Sequence, residues 1–359
     1  MKVLCATLAF GLVLFLQAQA RGDESRLTSE NNDRLETALE RFPAADANRD
    51  GVLTLAEAKA FKEEKAGQQD RRGLKPARAP EGGQRHIYKR VGDVELPLYV
   101  FKPSGHKTSA KTPAIVFFFG GGWKSGSPAQ YEQQCKDLSK RGMVAITVEY
   151  RVGSRHKAKI EDCVEDAKTA MRWVCGHAAD LGIDPNRIAS SGGSAGGHLA
   201  ACVSIIDGFD SKADNLKISP KPNAMVLFNP ALARAPHERL PAEANTILRA
   251  LLREDGTRER TRAPAVKSSP LQYAAMKQPP CIMLYGTEDR LLVGAETYRD
   301  ISVEAGNHCK IITYEGQGHV FFNFADSILK SATEKKEEGI QSALDAKRSQ
   351  SWRLITSGF

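Results

Sequence analysis

Ala114–Phe119 is apolar at every position, as are Ala224–Phe228 and Cys281–Tyr285, and Met143–Tyr150 is nearly so. Short runs without polar alternation predict strands buried on both faces rather than strands with one wet side. Arg187–Ser191 and Lys310–Tyr314 read as two further strands. Between the runs the period changes. Ala158–Cys175 carries Val164, Ala167, Met171 and Val174 on one side of a predicted helix, and Gly197–Ile206 reads as a helix of small residues. His86–Val91 and Glu95–Phe101 predict a hairpin around Gly92-Asp93. Strands alternating with helices predict an α/β protein with a doubly wound, mostly parallel sheet and helices on both faces. A sheet of this kind places its ligand sites at the carboxyl ends of its strands. Residues 233–269 interrupt the rhythm. Leu248, Leu251 and Leu252 lie on a predicted helix there, followed by a charged stretch, so the segment is either a cap over the site or a plain crossover.

The pattern before His86 is different. Lys2, the apolar stretch Val3–Leu16 and Ala18-Gln19-Ala20 make residues 1–20 a signal peptide, too short for a comfortable membrane span. The expectation is a secreted or periplasmic protein with no membrane span after cleavage. Residues 66–85 are rich in Gln, Arg, Gly and Pro without periodicity and read as a linker. Residues 86–359 then form the main domain. Residues 24–65 form a polar, helix-rich piece whose centre is Asp46-Ala47-Asn48-Arg49-Asp50-Gly51-Val52-Leu53-Thr54-Leu55-Ala56-Glu57. Asp46, Asn48 and Asp50 offer side-chain oxygens at positions 1, 3 and 5, and Gly51 permits the sharp turn. Val52 offers its carbonyl, Thr54 sits where water often bridges, and Glu57 closes the set. The stretch resembles an EF-hand, which implies a structural Ca2+ ion. EF-hands usually pair, and the sequence holds one.

Composition changes little. Hydrophobic residues make up 41% of the 359, enough for a sizeable core. The formal charge is +8 but the signs are mixed, with no basic run interleaved with aromatics, which argues against nucleic acid. Seven cysteines become six after cleavage. Cys163 and Cys175 share a predicted helix, too far apart to bond. Cys281 and Cys309 open predicted strands that can be neighbours; most of the six read as buried thiols.

Three features at predicted strand ends carry chemistry. Gly192-Gly193-Ser194-Ala195-Gly196 lies between a strand and a helix, a turn that lifts a serine hydroxyl clear of the sheet. Gly120-Gly121-Gly122 follows a buried strand and can aim backbone N–H groups at a substrate oxygen; Gly121 and Gly122, with the N–H of Ala195, are assigned to the oxyanion hole. Asp289, with Glu288 as competitor, follows the Cys281–Tyr285 strand, and His319 follows Lys310–Tyr314. His177, His198 and His308 read as packing or surface residues. The order Ser194, Asp289, His319 is that of a nucleophile–acid–base set on this kind of sheet.

Phe118-Phe119-Gly120-Gly121-Gly122-Trp123, Val148-Glu149-Tyr150-Arg151, Asp184-Pro185-Asn186-Arg187-Ile188, Gly193-Ser194-Ala195-Gly196-Gly197-His198, Gly286-Thr287-Glu288-Asp289 and Gly318-His319 together cover this domain. They resemble the α/β-hydrolase esterases and lipases, near the hormone-sensitive-lipase-like and carbohydrate acetyl-esterase branches. The resemblance implies hydrolysis of short acyl esters, acetyl foremost and on carbohydrates, with catalytic Ser194, Asp289 and His319 and no catalytic cofactor. One departure stands out: Phe119 occupies the place where the family usually has a histidine bracing the oxyanion loop. Glu149, Arg151, Asp162 and Asp166 are expected to form structural ion pairs beneath the site. Two other readings compete: a serine peptidase of the prolyl-oligopeptidase type, against which the absence of a propeller-length N-terminal region counts, and a non-catalytic calcium-dependent binding protein on a hydrolase fold.

Overall fold

A computed structural model of the chain describes residues 27–61, 76–252, 258–319 and 321–322. The expected signal peptide, linker residues 66–75, residues 253–257 of the expected cap and everything beyond Phe322 lie outside the described residues. By contacts the chain divides into two compact units, one up to Lys75 and the other from Pro76 onward.

In the first unit, α1 (Asp33–Arg41) and the helical residues 55–61 (α2) flank the 46–57 loop. Leu35, Ala38, Ala45, Leu53, Leu55 and Ala58 form its small core, with Leu27, Leu39, Phe42 and Phe61 packed against it. The loop edge is covered from within the chain. Thr28 pairs antiparallel with Thr54, Ser29 N–H donates to Leu53 O at 2.9 Å, and Leu55 N–H donates to Leu27 O at 3.1 Å. The strand edge that a second hand would normally cover is met by residues 27–29.

The second unit is the α/β domain. In chain order it runs β1 (Gln84–Val91), β2 (Val94–Phe101), β3 (Thr112–Phe118), α3 (Glu132–Lys140), β4 (Val144–Val148), α4 (Ile160–Gly176), β5 (Ile183–Gly193), α5 (Ala195–Ile205), β6 (Ala224–Phe228), α6 (Ala242–Leu251), α7 (Arg258–Lys267), β7 (Cys281–Gly286), α8 (Leu292–Glu304) and β8 (Cys309–Tyr314). The eight strands form one sheet in the order β1-β2-β4-β3-β5-β6-β7-β8. The β1–β2 and β2–β4 pairs are antiparallel and all later pairs are parallel. The runs read as doubly buried strands are so: Ile115–Phe118 and Val144–Ile146 have no exposed surface.

From β3 the chain goes to β4 on one side, then returns past β3 to β5 on the other. This reversal between β3 and β5 opens a crevice at their carboxyl ends. Strand β5 begins four residues before the expected 187–191 stretch. Its register against β3 jumps from Thr112↔Ile183 to Ala114↔Ile188, so Asp184–Arg187 bulge out of the ladder; Pro185 has no N–H to give there. Helices α3 and α8 were not foreseen. The buried face of α8 is made of Gly294, Ala295, Thr297, Tyr298 and Ser302, small and polar residues that leave no apolar period to read.

Candidate active site

Ser194 stands at the tip of the β5–α5 turn with φ 55° and ψ −117°, a backbone region in which a non-glycine residue is strained. The surroundings hold it there. Ser194 N–H donates to Phe228 O at 2.9 Å, and Ser194 O accepts from His198 N–H at 3.0 Å and Ala231 N–H at 3.1 Å. Glycine flanks the serine because neighbouring atoms already occupy the space of a side chain. A Cβ on Gly196 would land on Phe118 O, and one on Gly193 would land in the Phe322 ring. Phe322 is itself buried, tilted against Phe228 at 5.3 Å and parallel to Tyr131 at 6.2 Å.

Asp289 and His319 arrive from adjacent strands. The turns after β7 and β8 are tied together: Thr287 N–H donates to Tyr314 O (3.1 Å), Glu288 N–H to Gln317 O (3.0 Å), and Gly316 N–H to Thr287 Oγ1 (2.9 Å). His319 Nδ1 lies 2.7 Å from Asp289 Oδ2, and His319 Nε2 lies 2.9 Å from Ser194 Oγ. The carboxylate can only accept, so Nδ1 carries the proton and Nε2 presents a lone pair to the serine hydroxyl. Glu288, the competitor by sequence, is not the residue that meets the imidazole.

Asp289 is buried, and burial pushes its carboxyl up. Hydrogen bonds from His319, from Leu291 N–H at 2.9 Å and from Asn229 outweigh this and hold it below the ordinary aspartate value. Asn229 is fully buried, follows β6 directly, and donates its amide to the same Oδ2 that receives His319. Sequence reasoning missed it. The signal was present in Phe228-Asn229-Pro230: a strand end followed by Asn-Pro marks a turn at the carboxyl edge of the sheet.

The glycine loop leaves β3 across the crevice. Gly121 has φ 126°, and Lys124 and Ser125 N–H groups fold back onto its carbonyl at 3.2 and 3.1 Å. Gly121 and Gly122 are exposed, and among the described residues their N–H groups donate to no protein acceptor. Ala195 is the first residue of α5, where a helix leaves its N–H groups without intrahelical partners. The three sequence-assigned donors therefore lie in the two turns that follow β3 and β5, neighbouring strands of the sheet. The missing histidine has replacements. Phe119 is buried and stacks on Tyr150 at 4.1 Å, whose hydroxyl donates to Phe119 O at 2.6 Å. Gln130 Oε1 accepts Gly120 N–H at 2.6 Å, and Arg155 Nη1 donates to Gly126 O at 2.8 Å.

The remaining candidates sort as structure. His198 is fully buried, accepts from Trp123 Nε1 (3.2 Å) and lies 2.6 Å from Ser268 O through Nε2. Burial first, and Arg234 second, hold its pKa down to about 3, so it is a neutral packing residue. Asp166, without exposed side-chain surface, takes Arg151 in a two-pronged pair (2.8 Å to each oxygen) and Lys89 at 2.7 Å; Asp162 and Glu149 sit farther off, at 3.7 Å from Arg151 and 3.9 Å from Arg155.

The EF-hand-like loop is wrapped around its own carboxylates. Asp46 accepts from Arg49 N–H (2.7 Å) and Gly51 N–H (2.9 Å), and Asp50 accepts from Val52 N–H (2.8 Å). Glu57 accepts from Thr54 Oγ1 (2.7 Å) and Thr54 N–H (3.1 Å) while its own N–H donates to Thr54 Oγ1, a capping box at the start of α2. Among the described residues no group of three or more His, Cys, Asp or Glu side chains is placed to hold a metal ion. Nor is any described helix long and apolar enough to cross a membrane.

The BD-FAE family model matches residues 98–298, more than half of the chain. The chain belongs to the BD-FAE family, within the α/β-hydrolase esterases. The match spans β2 through α8 and so includes Ser194 and Asp289, but stops short of His319. Among solved structures, esterase 2 of Thermogutta terrifontis is 40% identical with a TM-score of 0.63, covering 78% of this chain and 96% of that one; it has been seen with propionate bound. Among curated relatives, a probable isoprenylcysteine α-carbonyl methylesterase of Arabidopsis thaliana is 26% identical over 62% of this chain and 48% of its own. An arylesterase of Saccharolobus solfataricus is 31% identical over 35% of this chain and 40% of its own. The chain spans between 28% and 60% of the length of the curated relatives it matches.

Proposed function

We propose that this protein is an exported serine carboxylesterase that hydrolyses short-chain acyl esters, acetyl foremost, with acylated carbohydrate as the substrate class. The observation that carries the reading is the continuous line Ser194 Oγ–His319 Nε2 at 2.9 Å and His319 Nδ1–Asp289 Oδ2 at 2.7 Å. His319 takes the hydroxyl proton as Ser194 attacks the acyl carbon. Asp289 holds the imidazole in the required tautomer and stabilises its cation. The N–H groups of Gly121, Gly122 and Ala195 receive the oxyanion. His319 then protonates the departing alcohol, and water repeats the sequence on the acyl-enzyme. A short acyl group is supported by the propionate and butyrate complexes of the Thermogutta esterase. Export is supported by the charged start, apolar stretch and Ala18-Gln19-Ala20.

The test is a panel of p-nitrophenyl esters of rising acyl length beside acetylated sugars, run on wild type and Ser194→Ala. Hydrolysis fastest for the shortest chains and on acetylated sugars, lost by about 10⁴-fold or more in the variant, is expected. The same loss should appear as failure of paraoxon to label the variant; paraoxon phosphorylates the Thermogutta relative. Preference for a proline amide over every ester would overturn the reading.

We further propose that the 46–57 loop takes a structural Ca2+ ion. The donor types suit it: Asp46, Asn48, Asp50, Val52 O, Thr54 and Glu57 offer hard oxygen only, and Gly51 makes the sharp turn with φ 84°. Glu57 would have to release Thr54 to join the set. The ion would hold this loop and take no part in ester chemistry.

A further inference from the structure

Cys281 and Cys309 open β7 and β8, and the register sets them directly opposite each other. Adjacent strands lie about 4.8 Å apart, within the ~4.4–6.8 Å between Cα atoms that a disulfide spans. Cys281 is buried and Cys309 half-buried. The neighbouring Cys309 sulfur and burial push the Cys281 thiol up; the Cys281 sulfur, with Ser302 and Arg299 beyond it, holds the Cys309 thiol down against its partial burial. The more accessible sulfur is thus the one that ionises first, as a thiol–disulfide exchange requires of its attacking group. Among the described residues no other two cysteines are register partners.

The pair sits at a strategic place. Among the described residues, strand β8 is an edge, held to the sheet by β7 alone. Its carboxyl end carries His319, and the carboxyl end of β7 carries Asp289. That end is locked by the bonds between the two turns, whereas the opposite end of the ladder is closed by Cys281↔Cys309 and the Cys281 N–H to His308 O bond at 2.8 Å.

We propose that Cys281 and Cys309 are a thiol pair that a low-molecular-weight disulfide, such as glutathione disulfide, converts to an interstrand disulfide, stapling the strand that bears the candidate base to the strand that bears the candidate acid. The Cys309 thiolate attacks one sulfur of the oxidant, forming a mixed disulfide and expelling a thiolate. Cys281 then attacks Cys309 Sγ, releasing the second half of the oxidant as thiol. Two protein thiols and one glutathione disulfide become one protein disulfide and two glutathiones. The proposal rests on strand geometry and stands whether or not the ester reading holds.

The full chain, reduced and then exposed to glutathione disulfide, is alkylated and digested for peptide mapping, and its thermal midpoint is read in parallel. A cross-linked Cys281–Cys309 peptide lighter by two hydrogens is expected, with a midpoint about 5 °C higher that dithiothreitol reverses. Cys281→Ser and Cys309→Ser should each lack the cross-link and the rise while keeping wild-type turnover of p-nitrophenyl acetate at room temperature. Complete alkylation of both thiols after oxidant, or glutathione left on Cys309 without ring closure, overturns the proposal. So does a cross-link that leaves the midpoint unchanged or lower, since the staple would then hold nothing. The wild-type peptide map decides the bond itself even if a serine variant fails to fold.

Discussion

Asp289 shows how much one residue depends on a neighbour that motif reading passes over. The carboxylate is buried, which opposes its charge, and three donors keep it ionised below the ordinary aspartate range. Its pKa is depressed, so the charge is present above that value and is lost only as pH falls through it. Removing a donor raises the value. Asn229→Ala should therefore cut kcat by about 10-fold to 100-fold and raise the pH at which Asp289 itself titrates; steady-state kinetics and carboxyl 13C NMR titration of both proteins read these, and an unmoved Asp289 titration would assign Asn229 to packing alone. Gly196 marks a different dependence. Ala at this position would drive its methyl into Phe118 O, and a loss of about 3 kcal/mol or more is expected from denaturant unfolding.

At the scale of elements, the glycine loop and α4 carry the arguments. The loop is fixed without the usual histidine. Gln130 holds Gly120 N–H, Tyr150 holds Phe119 O and stacks on its ring, and Arg155 holds Gly126 O. Gln130→Ala should lower kcat about 10-fold with KM little changed, less than the ~10²–10³ for loss of an oxyanion donor itself; steady-state kinetics on p-nitrophenyl acetate measures the split. Asp166 on α4 joins that helix to β1 through Lys89 and to the turn after β4 through Arg151. Asp166→Ala leaves two cations facing a buried space and should cost about 3–5 kcal/mol in unfolding free energy. The parallel strands were legible because doubly buried runs admit no polar residue. Helices α3 and α8 were not, because Gln134 lies in the buried face of α3 and Gly294, Thr297 and Ser302 in that of α8.

For the whole molecule, the division into two compact units separates two chemistries. The serine, acid and histidine belong to the unit from Pro76 onward, and all six residues of the proposed calcium set belong to the unit up to Lys75. Chelation of the full chain should leave turnover of p-nitrophenyl acetate within about twofold while any low-temperature unfolding transition of the first unit shifts downward, the loss scaling with ligand excess as RT ln(1 + [L]/Kd). A parallel collapse of turnover in a protein that remains folded would show the loop reaching into the chemistry.

The sequence by itself determined the chemical parts and their order: a serine between glycines after a strand, a glycine triplet after another, an acid and a histidine after two more. Those are local facts, set by turn geometry and by the apolar runs that precede each turn. Two matters were decided only by tertiary structure. Strand order placed β3 beside β5, with the chain reversing between them, so that loops more than 70 residues apart in sequence flank one crevice; no periodicity encodes which strands become neighbours. Packing then chose the supports: Asn229 under Asp289, Gln130 and Tyr150 behind the glycine loop, and Phe322 against Gly193. Each is an unremarkable residue along the chain and gains its role from what the fold sets against it.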